Sequence, residues 1–418
     1  MATSTTTTNF DPAMKQIYRP ENVQNLVYDV RPLFGMLSKN EGFGGRNMPV
    51  VVQFGNPAGG RSAAFATAQS NRSQVRVEDF LLTRVSDYQI ATIDSEVIEA
   101  TRGDTYAFLS ALKQKIDGSF AALADAIESF LFRSGTGALA QIGSITANSS
   151  GTSELITLLQ VEEICNFELD MVLVASTADG GAIRATPASS IVEAVDRTAG
   201  TILVDDLTAG TDWVANDFLY VQGDAANTGA NVKLSGLSAW LPATVTSTAF
   251  FGVDRTVDTR LAGLVHTGTS DTLEDASIDA QSKVGREGGK ADLFLVHNSQ
   301  YRRLVKELGA KKVYDDVLAQ SSKGQMATVG YRSVVIEGDY GPIKVVPANK
   351  CQATVGWMLT SKAWKFHTLG PATKFLMEDG LRILRQSNSD GYEVRMVMRG
   401  NVSCKAPIWN CRVSLPNP

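Results

Sequence analysis

The chain has 418 residues, 44% hydrophobic and 20% charged, with a formal net charge of −5 at pH 7. That length allows two or three domains of ordinary globular composition, and the near-balanced charge gives no global pull toward nucleic acid or an anionic membrane. No run of about 18 apolar residues occurs, so no helical membrane span is expected, and four cysteines without CxxC spacing fit a reducing compartment better than a disulfide scaffold.

The first nine residues, Met-Ala-Thr-Ser-Thr-Thr-Thr-Thr-Asn, are polar and uncharged, unlike a signal peptide. They hold too little apolar surface to fold alone and read as a flexible tail or an arm ordered by a neighbour. Val23 to Leu37 has helical spacing that Pro32 breaks or kinks, which predicts two short helical turns.

An extended arm follows. Met48 to Phe54 is a β-branched run, Gly55-Asn-Pro-Ala-Gly-Gly-Arg-Ser is a cluster of turn residues, and Gln74 to Val97 is a β-rich return. Ten residues per side would make a hairpin of roughly 33 Å, and an isolated two-stranded hairpin is marginal in water. The arm reads as unable to bury itself, a surface meant for another copy of the chain. Its tip carries Arg61, Phe65, Arg72 and Arg76, with Arg84 further along and no acid between Gly44 and Arg76. These five are the candidate inter-subunit residues: a basic finger for bidentate contacts with a neighbour's carboxylates, with a plain solvated loop as the alternative. Phe65 is the tip's only aromatic, which disfavours nucleic-acid stacking.

One amphipathic helix is predicted over about Asp104 to Phe132, with Gly103-Asp104 at its start and Gly135 as a left-handed stop. It would run roughly 43 Å. Residues 152–242 are then poor in charge and rich in β-branched residues. Leu155–Leu159, Met171–Val174, Ile191–Val195, Thr201–Val204, Phe218–Val221 and Val232–Leu234 predict a small inserted β domain, with a hairpin turn at Asp196-Arg-Thr-Ala-Gly200. Beyond it come a helix over Leu273–Gly285, a buried strand over Ala291–His297, a helix over Gln300–Leu308 ended by Gly309, and several further strands up to Trp409–Val413.

Catalytic motifs are missing: no GxSxG, HExxH, Walker A or GxGxxG in a strand–turn–helix setting. Gly285-Arg-Glu-Gly-Gly-Lys-Ala has Val284 where a phosphate loop's first glycine belongs and Ala291 in place of Ser/Thr, so it reads as a plain loop. The three histidines, His266, His297 and His367, have no second His or Cys at ligand spacing. The acidic pairs Asp205-Asp206 and Asp315-Asp316 read as solvated turns rather than metal sites. Cys404 and Cys411, seven apart on a strand, point to opposite faces. No catalytic residue, cofactor or metal site is assigned.

The order of these elements resembles a tailed-bacteriophage major capsid protein of the Hong Kong 97 type. Gly60-Arg-Ser-Ala-Ala-Phe-Ala-Thr-Ala-Gln looks like an extension-loop tip, Ala121 to Gly137 like the end of a spine helix, and Tyr340-Gly-Pro-Ile-Lys-Val-Val-Pro347 like an axial-domain segment. The resemblance implies an α+β capsid fold: an N-terminal arm (1–41), an extension loop (42–97), a spine helix with peripheral domain (98–151), an inserted β domain (152–242), an axial domain (243–380) and C-terminal strands returning to the peripheral and axial domains (381–418). It implies a structural protein, not an enzyme, that assembles with itself into the pentamers and hexamers of an icosahedral shell in the virion. The shell would be built in the host cytoplasm around non-specifically held double-stranded DNA, without a membrane. Partners would be a separate scaffolding protein, as the chain has no long charged helical leader, together with a portal and a decoration or cement protein. No lysine lies between Lys39 and Lys113, so the extension loop supplies no cross-linking lysine and non-covalent stabilisation is expected. The alternatives are an encapsulin-like cellular compartment shell and, from another class, an α/β enzyme using His297 at the end of its strand.

Overall fold

The computed structural model describes residues 31–94, 105–147, 153–205, 207, 212–225, 232–307, 334–377, 380–381, 383–386 and 390–417. Most of the predicted N-terminal arm, the Gly103-Asp104 cap, Asp206, Gly309 and the Asp315-Asp316 pair lie outside the described residues.

Helix α1 spans Pro32–Met36. Pro32 sits in its first turn, where a missing N–H is no loss; the rest of the predicted helical segment, Val23 to Val30, lies outside the described residues. Strands β1 (Ser38–Asn40) and β2 (Asn47–Gly55) lead to a tip that holds helix α2 (Phe65–Ser70), and β3 (Arg76–Thr83) and β4 (Val85–Asp94) return from it. Helix α3 runs Thr105–Phe132 and stops before Gly135, whose φ of +90° is left-handed. Its Ile116, Phe120, Leu123, Ile127, Phe130 and Leu131 are buried at helical spacing.

Six strands then close into an antiparallel barrel: β5 (Ala140–Ala147), β6 (Glu154–Leu158), β7 (Val172–Ser176), β8 (Ser190–Asp196), β9 (Thr201–Val204) and β10 (Phe218–Val221), in the order β10-β5-β6-β9-β8-β7. Ile142, Ile156, Leu173, Val192, Ile202 and Leu219 are buried, one from each of these strands. The turn between β8 and β9 falls at the predicted place. Asp196 Oδ1 accepts from the Thr198 and Ala199 amides at 2.9 and 3.0 Å, and Gly200 adopts φ +68°. Strand β5, rich in small residues, is not foreseen in the sequence reading. Val232-Lys-Leu, predicted as a strand, is irregular: Lys233 is drawn into a buried ion cluster instead.

The remaining elements are α4 (Leu237–Trp240), β11 (Leu264–Thr267), α5 (Leu273–Arg286), β12 (Leu293–Val296), α6 (Asn298–Glu307), β13 (Val334–Gly338), β14 (Gly341–Pro347), β15 (Val355–Leu359), β16 (Trp364–Thr368), β17 (Lys374–Phe375), β18 (Ile383–Arg385), β19 (Gly391–Cys404) and β20 (Cys411–Ser414). One mixed sheet has the order β11-β20-β15-β12-β14-β13. Helix α5 packs on it through Leu273, Ala276, Ala280 and Val284, and Thr272 caps the helix by accepting from the Asp275 amide at 3.1 Å. In the second sheet β19 is central. It pairs with β4 from Gly391↔Asp94 to Gly400↔Val85, and with β16, β17 and β18. Helices and strands are thus largely segregated, an α+β fold.

The hairpin corrects one expectation. Strands β2 and β3 pair, and their inner face is buried on the rest of the chain. Val50, Val52, Phe54, Phe80 and Leu82 alternate inward, and the Phe80 ring lies 5.1 Å from Trp240. The arm therefore buries its own base. The return is also not one strand, because it breaks at Arg84 between β3 and β4 and continues directly into the β19 sheet.

Candidate functional site

What the chain leaves exposed is the hairpin's outer face and its tip. Strand β2 alternates between exposed and buried positions, so Val51 faces out while Val50 and Val52 face in. Val77 and Leu81 of β3 are exposed as well. The tip is a short 3₁₀ turn (Ala58–Gly60) and helix α2, neither with a buried residue. The Gly59 amide donates to Ser73 Oγ at 2.8 Å, closing the tip, and a Cβ on Gly59 would stand 2.6 Å from the Asn71 carbonyl oxygen. Phe65 is 81% exposed, a large apolar ring held away from its own core.

The predicted site residues separate into two groups. Arg61, Phe65, Arg72 and Arg76 are exposed on or beside the tip, and among the described residues none of the three arginines makes an ion pair. Arg84 lies at the other end of β3, and its guanidinium is engaged inside the chain. It donates to the carbonyl oxygens of Phe43 at 3.1 Å and Gly45 at 3.4 Å and lies over the Phe43 ring. The structure thus places Arg84 at the hinge where the hairpin meets the β19 sheet.

Several residues that the sequence reading did not single out hold this base. Arg255 is buried, donates to the carbonyl oxygens of Ala239 and Trp240, and stacks on Phe250. Arg260 donates to the Phe54 carbonyl oxygen at 2.9 Å, and the Leu81 amide donates to the Phe251 carbonyl at 2.9 Å. Asn401 of β19 donates to the Thr83 carbonyl at 2.9 Å. An exposed tip thus stands on a base that is clamped within the chain.

A second feature lies at the start of the described chain. Glu128 of α3 is buried and accepts from the Leu33 and Phe34 amides at 3.1 and 2.9 Å, which caps α1. Burial pushes its carboxyl up to about 7, against the opposing pull of those amides. Arg31 beside it pairs with Asp125 at 2.7 Å. A cavity of about 510 Å³ adjoins, lined in part by Glu128, Glu162, Cys165, His297, Asn349 and Lys350. Of these, His297 is held by its own chain neighbours. Its Nδ1 shares a hydrogen bond with Ser299 Oγ at 2.7 Å and accepts from the Ser299 amide, a local cap at the start of α6, and burial lowers its pKa. His367 is buried on Ser403 Oγ at 2.8 Å. All four cysteines are free. Among the described residues no helix is long and apolar enough to cross a membrane. His266, Asp271 and Asp279, by contrast, converge. The sequence signal for that cluster, one histidine with acids five and thirteen residues on, is too irregular to read without the fold.

Comparison with solved structures finds similar folds in the capsid asymmetric unit of cyanophage A-1(L) (12% identity, TM-score 0.49, covering 94% of this chain and 94% of that chain). Others are a native GTA particle capsid (9%, TM-score 0.45, 94% and 90%) and Mycobacterium phage Bobi (10%, TM-score 0.43, 92% and 90%). No curated protein sequence matches. A protein-family model described as SU10 major capsid protein matches residues 214–380, from the end of the barrel through β17.

Proposed function

We propose that this chain is a structural phage capsid protein, as the match of residues 214–380 to the SU10 major capsid protein model suggests, and that it self-assembles through its hairpin into a closed icosahedral shell. The observation that carries this reading is the hairpin itself: a base clamped within the chain, and a tip with Phe65 and three arginines that have no ion-pair partner among the described residues. The outer face adds Val51, Val77 and Leu81, an apolar strip suited to a neighbouring subunit. The arginines would meet carboxylates of that neighbour through bidentate contacts.

In this reading the architecture is of the Hong Kong 97 type, with residues 1–41 as the arm, 42–97 as the extension loop, 98–151 as spine helix and peripheral domain, 152–242 as the inserted β domain, 243–380 as the axial domain and 381–418 as the returning strands. Subunits form pentamers and hexamers around double-stranded DNA. Each contact can be weak, because many copies close one shell and the contacts reinforce one another. Scaffolding, portal and cement proteins would be the partners, assembly would occur in the host cytoplasm, and the missing lysine in 40–112 favours non-covalent stabilisation. Electron microscopy of the purified chain, alone and with a scaffolding protein, tests this. Closed shells or capsomers support it; small monomers under every condition overturn it.

A further inference from the structure

We propose that His266, Asp271 and Asp279 form a binding site for a divalent transition-metal cation of the zinc type, which ties the edge strand β11 to helix α5. One ligand atom from each residue lies within 4.8 Å of the others. His266 Nε2 stands 3.4 Å from Asp271 Oδ2, about the edge of a tetrahedron whose metal–ligand arms are about 2.1 Å. The independent observation is His266 itself. Its side chain is 8% exposed, it sits beside the carboxylate of Asp271, and neither ring nitrogen makes a hydrogen bond. A buried imidazole with both nitrogens unbonded is costly, and a metal on Nε2 supplies a partner for one of the two.

The fold fixes this geometry from both sides. His266 is held in register by β20, where it pairs with Val413. The chain turns tightly at Gly268, whose Cβ would stand 2.9 Å from Ala276. Arg303 then donates to the Asp271 carbonyl oxygen at 3.1 Å, anchoring that backbone just before the Thr272 cap. Asp279 reaches in from the second turn of α5 and is exposed, free to close the last distance and to leave a position for water. An imidazole nitrogen with two carboxylates favours zinc over magnesium or calcium, which prefer all-oxygen shells. The neighbouring Lys283 is directed to the Val265 carbonyl oxygen, at 3.4 Å. The site uses no residue of the hairpin and does not depend on the assembly reading.

The test is titration of the full chain with zinc chloride, read by calorimetry and by thermal unfolding, in a Cys165→Ser background that removes the half-exposed thiol. One saturable site and a rise in Tm are expected, with magnesium giving neither at the same concentration. Asp279→Asn and Asp271→Asn, both outside the core, should weaken zinc at least about tenfold while leaving the metal-free Tm within a few degrees; His266→Gln should abolish the site. No saturable zinc binding, a zinc affinity in the two Asn variants equal to that of the parent protein, or tighter binding of magnesium than of zinc would each overturn the proposal.

Discussion

Lys233 Nζ lies 2.8 Å from Asp87 Oδ1, a buried ion pair that joins strand β4 to the segment leaving the barrel. Asp224 Oδ2 completes the cluster at 2.9 Å, and the ammonium also sits over the Phe130 ring of α3. Burial alone would push the Lys233 ammonium down, but the two carboxylates outweigh it and hold the group above its usual range. The β19 sheet, the barrel and the long helix therefore meet at one side chain. Lys233→Met leaves two carboxylates without their cation and should cost about 3–5 kcal/mol, read from the denaturant midpoint. Adding Asp87→Asn and Asp224→Asn should recover part of that loss. A Lys233→Met cost under about 1 kcal/mol would show that the pair is not structural.

The two ends of the hairpin should respond oppositely to truncation. Phe80 is fully buried against Trp240 and Phe250. Phe80→Ala should therefore destabilise the chain by about 3–5 kcal/mol through lost burial and a cavity. Phe65→Ala, at the tip, should stay within about 0.5 kcal/mol of wild type yet lower particle yield. Equal Tm losses for the two variants would mean that the tip packs on its own chain.

Charge reversal isolates the proposed neighbour contact. Arg61 and Arg72 make no ion pair among the described residues, so Arg61→Glu with Arg72→Glu should leave the Tm of the unassembled chain unchanged while reducing shell yield several-fold. Raised salt should weaken wild-type assembly in the same direction, since exposed ion pairs are screened. Unchanged particle yield and thermal profile would make the tip a solvated loop.

These contrasts also show what the sequence could reveal. The long helix is legible because Ile116, Phe120, Leu123 and Ile127 repeat at its period, and the Asp196–Gly200 turn because its residue types demand it. The burial of the hairpin base is not legible, because Phe80 packs on Trp240 and Phe250, far away in sequence, and nothing local encodes that pairing. Arg84 illustrates the same limit: it shares its residue type with Arg61, but carbonyl oxygens in reach of it at Phe43 and Gly45 decide its role. Lys233 sits in an apolar triplet that reads as a strand, and two distant carboxylates override that propensity.

The carboxyl of Glu128, raised by burial to about 7 from an ordinary value of 4.5, links the α1 cap to pH. The folded state holds a proton that the unfolded chain releases between those values, so this group favours folding at about pH 5 and opposes it as pH rises through about 7. The span corresponds to about 3 kcal/mol at most. His297 and His367, both lowered by burial, work the other way, because the unfolded chain binds their protons below about pH 6.5. The Glu128 contribution is therefore best read as a difference. Glu128→Gln cannot ionise and keeps one oxygen for the Leu33 or Phe34 amide, so wild type should lose stability relative to this variant as pH is raised from about 5 to about 8. Thermal unfolding of both proteins across that range gives the comparison. Parallel curves would show that Glu128 does not titrate differently in the folded and unfolded chain over that range.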